Sequence, residues 1–111
     1  MTAKNVYTIA LGLLGYTDSA DFQRRAVSIV NKVYFDLHRI CCGTEEFTPI
    51  QTLNEGLKLP DKVLLSVMPS GIAEMIALGE GDGELQQYFA QDYDRGKARL
   101  NNIEIITDVL P

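Results

Sequence analysis

Residues 19–43 read SADFQRRAVSIVNKVYFDLHRICCG, and this stretch decides the fold class. Phe22, Ala26, Ile29, Val33, Leu37 and Ile40 recur at three- and four-residue steps, and Val30 and Cys41 widen the stripe. Arg24, Arg25, Asn31, Lys32, Asp36 and Arg39 fall mostly on the other side. That period belongs to an amphipathic helix with one face in a core. The spacing predicts a helix over 19–41, stopped by Gly43, with Thr17, Asp18 and Ser19 as N-cap candidates and Asp21 favourably placed in the first turn.

Working outward, the same period gives a first helix over 2–15, with Val6, Ile9 and Leu13 on one stripe and Tyr7, Leu11 and Leu14 beside it. The broad apolar arc predicts a mostly buried element that Gly15 terminates. Pro60 suits the first position of a third helix, where a missing N–H costs nothing. Val63, Leu64, Val67 and Met68 form an apolar patch, and Pro69 then predicts a kink or break near 66–69. The continuation GIAEMIAL, 71–78, is almost wholly apolar, which marks it as the most buried element; Gly71 and Ala73 leave room for a close helix neighbour. Residues 79–84, GEGDGE, form a turn, and Asp82 caps a fourth helix over 83–102 with Leu85, Phe89, Tyr93, Gly96 and Leu100 on one face. The expected fold is all-α: one domain over 1–111, a small four-helix bundle.

Two segments stand outside this bundle. Residues 44–59 contain Pro49 and Gly56, and Phe47, Ile50, Leu53, Leu57 and Leu59 punctuate a polar background. A stretch this long without regular structure is uncommon in a compact domain unless it has a task. It reads either as an extended arm toward a neighbour or as a lid over the chain's own core. The last residues, 103–111, alternate at Ile103 and Ile105, end in Val109 and Leu110, and read as a short extended tail. Phe47, Ile50, Leu53, Ile105, Val109 and Leu110 are therefore the expected partner-binding residues.

Composition narrows the function. Of 111 residues, 46% are hydrophobic and 23% charged, a globular balance. No apolar run approaches the roughly 18 residues that span a bilayer, and one lysine, Lys4, is a poor charged region for a secretion signal. Residues 1–43 carry five basic and three acidic side chains, a net of +2; residues 44–111 carry five and twelve, a net of −7. Such a chain is not built to wrap nucleic acid, although like charge suits a passage through which nucleic acid slides.

The residues that could carry chemistry are few. His38 is the only histidine, placed on the polar side of the second helix, and the adjacent Cys41 and Cys42 read as reduced, partly buried thiols. A Cys–His nucleophile pair one turn apart on one helix rarely aligns, and no oxyanion donors are evident. Glu80, Asp82 and Glu84 begin like a calcium loop, but Leu85 stands where its glycine belongs and Gln91 where its closing glutamate belongs. Tyr88, Phe89 and Tyr93 read as core, and Arg95, Lys97 and Arg99 as cations near a helix C-terminus. The sequence thus points to a non-enzymatic protein with no catalytic residue, metal or cofactor.

The order of these features resembles the head–tail connector (adaptor, head-completion) proteins of tailed bacteriophages. The likeness lies in a helix start at Leu59-Pro60, the small-residue helix PSGIAEMIAL, the turn Glu80-Gly81-Asp82, and a helix with Phe89 and Tyr93 four apart. An N-terminal half with LLGYTD and RRAVSIVNKVYFDL is similar too, whereas Pro69 departs from the pattern. The resemblance implies a phage or prophage structural protein that forms a ring beneath the portal, extends the DNA channel and docks the tail or a tail-completion protein. It implies residence in the virion neck, and in the host cytoplasm during assembly, with DNA met only in passage and no membrane contact. From the residues alone, a bacterial helical dimerisation module, joined through the second helix, is the other reading.

Overall fold

The computed structural model describes residues 1–109, with side chains through residue 100. Five helical segments follow in order: α1 Ala3–Leu14, α2 Ala20–Cys42, α3 Asp61–Ser66, α4 Met68–Gly79 and α5 Gly83–Val109. The protein is all-α, a small bundle in which α3 and α4 are the two halves of the broken third helix. The only strand-like pairing among the described residues is a single bridge between Thr2 and Gly56.

The helix ends follow from local chemistry. Thr2 caps α1 in a capping box with Asn5, satisfying amides that have no partner inside the helix. Gly15 closes the same helix at φ 72°, a backbone state that a Cβ disfavours. The Ser19 hydroxyl accepts from Phe22 N at 3.1 Å to start α2, and Asp82 accepts from Leu85 N at 3.2 Å to start α5. The break between α3 and α4 falls at Val67, which puts Pro69 in the first turn of α4, where proline is tolerated.

The centre of the bundle is α4, which packs most extensively on α5 and also on α1, α2 and α3. Its eight buried residues are Met68 to Ala73, Ile76 and Ala77. A Cβ at Gly71 would lie 2.8 Å from the Tyr93 ring and 2.9 Å from Val33 Cγ1, so only glycine lets α2 and α5 close on α4 at this level. Taken across its break, 61–79 is 19 residues long with mean hydropathy 1.4, long and apolar enough to cross a membrane. That corrects the expectation that no such run exists; 61% of the stretch is buried inside the bundle, as a core helix requires.

Three further expectations change. The C-terminal tail is not extended: α5 continues through Val109, seven residues past its expected end. The cluster Arg95, Lys97 and Arg99 consequently lies in mid-helix, far from any C-terminal carbonyls, and Lys97 instead pairs with Asp36 on α2 at 3.1 Å. Tyr88 is not core but 62% exposed, while its neighbours Phe89 and Tyr93 are buried as expected.

Candidate functional site

The segment 44–59 has no helix or strand, yet hydrogen bonds tie it down from Ile50 to Lys58. Asn31, on α2, clasps the backbone of Ile50: its Oδ1 accepts from Ile50 N at 2.8 Å and its Nδ2 donates to Ile50 O at 2.9 Å. Further along, Ala3 N donates to Glu55 O and Lys4 N to Leu53 O, so the segment satisfies amides at the start of α1. Leu57 N donates to Met1 O, and Lys58 N to the Tyr34 hydroxyl. The Glu55 carboxylate accepts from Gln51 N and Thr52 N, which holds its turn and keeps the carboxyl below the ordinary range.

These anchors overturn the arm reading. Ile50, Leu57 and Leu59 are buried in the chain's own core, and Phe47 and Leu53 are half-buried against it. Phe47 sits edge-on among Tyr34, Phe35 and His38, with ring centroids 5.0, 5.1 and 5.4 Å away. Residues 44–59 are a lid on their own bundle, so Phe47, Ile50 and Leu53 do not wait for a neighbour. Of the other expected partner residues, the side chains of Ile105 and Val109, and the whole of Leu110, lie outside the described residues.

The lid also relocates His38. The polar side of α2 is its address by helical period, but Phe47 covers it, and the ring is 7% exposed. The buried stripe of α2 accordingly reads Ala26, Val30, Val33, Tyr34, Leu37 and His38, rotated from the stripe expected from period alone. Cys41 and Cys42 are half-buried thiols at the end of the helix. Burial, with Glu45 nearby, raises the Cys42 thiol above its ordinary value, which disfavours the thiolate a nucleophile needs. His38, Cys42 and Glu45 nonetheless come together, with one ligand atom from each lying within 4.8 Å of the others. Sequence reasoning paired His38 with the cysteines and missed Glu45, because the turn at Gly43 that returns it is a tertiary detail.

Another face of the bundle carries an open apolar cleft. Phe35 on α2 and Leu78 on α4 are 47% and 62% exposed, and with the half-buried Met75 they line a cleft of about 370 Å³ between α2 and α4. Polar groups stand around it. The Asp36 carboxylate accepts from the Tyr93 hydroxyl at 2.7 Å and from Lys97. Burial pushes the Asp36 carboxyl up, but those two hydrogen bonds and the Lys97 charge outweigh it and hold it below the ordinary range. Glu74 in the same wall is raised, by burial first and by Asp94 second. The cleft presents apolar side chains bordered by both signs of charge. No protein-family model, curated protein or solved structure matches this chain.

Proposed function

We propose that this chain is a structural subunit of a phage neck, assembling as a ring between portal and tail, extending the DNA channel and docking the tail. The observation that carries an assembly role is the α2–α4 cleft: Phe35, Met75 and Leu78 line an opening on a bundle whose core is already closed by its own lid. Buried apolar area contributes about 25 cal/mol per Å², so such side chains favour association once a partner covers them. A ring follows when one surface meets a different surface on the next copy and the rotation closes. The phage reading adds the sequence likeness described above. The net −7 of residues 44–111 agrees with a channel that DNA traverses without adhering.

With Ile50 buried and Phe47 and Leu53 half-buried under the lid, the proposed subunit contact is this cleft rather than the segment 44–59, together with the C-terminal residues Ile105, Val109 and Leu110. In particles lacking the gene, electron microscopy should show DNA-filled heads without tails. Filled, tailed and infectious particles would exclude the phage role.

A second reading has its own observation. Phe35 is exposed on α2, the most amphipathic helix, which suits a regulatory dimer joined through that helix. Native mass spectrometry separates the two: a stable dimer that Phe35→Asp dissociates favours the module. A monomer that adds to a ring only beside its portal favours the connector.

A further inference from the structure

The junction of α2 with the lid gathers three side chains of different donor type. His38 and Cys42 stand four residues apart, which places them on one face of the last turn of α2. The helix stops at Gly43, whose φ of 62° turns the chain, and Glu45 N donates to Cys42 O at 3.2 Å to close that turn. The return brings the Glu45 carboxylate over the helix end. One nitrogen, one sulfur and one oxygen then lie within 4.8 Å of one another.

We propose that His38, Cys42 and Glu45 form a three-ligand site for a borderline divalent transition metal, with zinc the best match, at the junction of α2 and the lid. A mixed imidazole, thiolate and carboxylate set suits zinc or cobalt, whereas magnesium and calcium prefer oxygen alone. Tetrahedral bonds of about 2.0–2.3 Å place ligand atoms about 3.3–3.8 Å apart. The exposed Glu45 side chain is free to adjust toward an ion, while His38 is held by Phe47 and Tyr34.

The surroundings supply the rest. The three residues line a cleft of about 320 Å³, which leaves space for a water as fourth ligand. Glu46, Glu55 and Lys58 also line it, so the three carboxylates of Glu45, Glu46 and Glu55 stand against one lysine, a negative balance that suits a cation. On binding, the hydrated ion takes the nitrogen, sulfur and oxygen, keeps one water as its fourth ligand and releases its other waters, and the Cys42 thiol gives its proton to solvent. No electron moves. The bound ion links the end of α2 to the first residues of the lid, so it stabilises the closed lid in proportion to its occupancy.

The test is a titration of cobalt(II) into the reduced full-length chain, followed by competition with zinc. One equivalent should produce a thiolate-to-cobalt charge-transfer band that zinc abolishes, and zinc should raise the melting temperature. Cys42→Ser should remove the band, Cys41→Ser should keep it, and Glu45→Gln should weaken binding at least about tenfold. His38→Gln alters a buried position, so its circular dichroism is compared with the wild type, whereas the exposed Glu45 leaves the fold unaffected. Absence of a band at saturating cobalt, a band that survives Cys42→Ser, or unchanged affinity in Glu45→Gln would each overturn the site.

Discussion

Two apolar surfaces lie beside α2, and only one of them is covered. Under the lid, Phe47 lies against Tyr34 and His38, and the covering segment is pinned at Ile50 by the Asn31 side chain, at Glu55 by Ala3 and at Leu57 by Met1. Beside α4, Phe35, Met75 and Leu78 line an open cleft that no segment crosses among the described residues. An irregular chain can seal an apolar surface only where its own N–H and C=O groups are satisfied, because an unpaired buried polar group costs about as much as burial gains. Asn31 offers both a donor and an acceptor on the lid side. On the cleft side the Asp36 carboxylate is already engaged by Tyr93 and Lys97.

That contrast can be broken at its covered end first. Ile50→Ala removes a buried side chain from beneath the lid and should cost about 2–4 kcal/mol of unfolding free energy by urea denaturation. A cost near zero would mean that the lid is not packed. At the floor of the cleft, Gly71→Ala should cost about 1–3 kcal/mol, because its new Cβ meets the Tyr93 ring and Val33. A neutral result would show that α4 can withdraw from α2 and α5.

A third measurement concerns the ionic wall. The Asp36 carboxyl is depressed in the folded state, so it contributes stability above the ordinary carboxylate range and loses it as pH falls through its lower folded value. Acid melts of Asp36→Asn should therefore lose less stability in that window than the wild type, and equal losses would remove Asp36 from the account. The smallest effect on folding belongs to the open surface. Leu78→Gln should change stability by no more than about 0.5 kcal/mol while reducing self-association in light scattering. A large loss of stability instead would mean that the cleft belongs to the core.

Much of this architecture was legible because helix punctuation is local. Ser19, Gly15, Gly43 and Asp82 mark their ends by side-chain or backbone chemistry that a reader can place without a structure. The break before Pro69 and the close approach at Gly71 are likewise one-residue effects. The lid was not legible, since its two possible states differ only in whether Asn31 reaches Ile50 across the fold. Its apolar residues were found, and both an arm and a lid fitted them, but nothing local chose between shelter by a neighbour and shelter by α2. The burial of His38 and the return of Glu45 are hidden for the same reason: both depend on where the lid lands. The end of α5 was misjudged because alternation at Ile103 and Ile105 imitates a strand, while the helix simply continues through Val109.

The pairing of Ala3 and Lys4 with Glu55 and Leu53 also has a consequence for synthesis. The first helix leaves the ribosome well before the residues that complete its opening turn, so its N-terminus must wait for translation to reach the lid. Contacts so distant along the chain slow folding, so the opening turn of α1 gains its last partners only once the lid is in place.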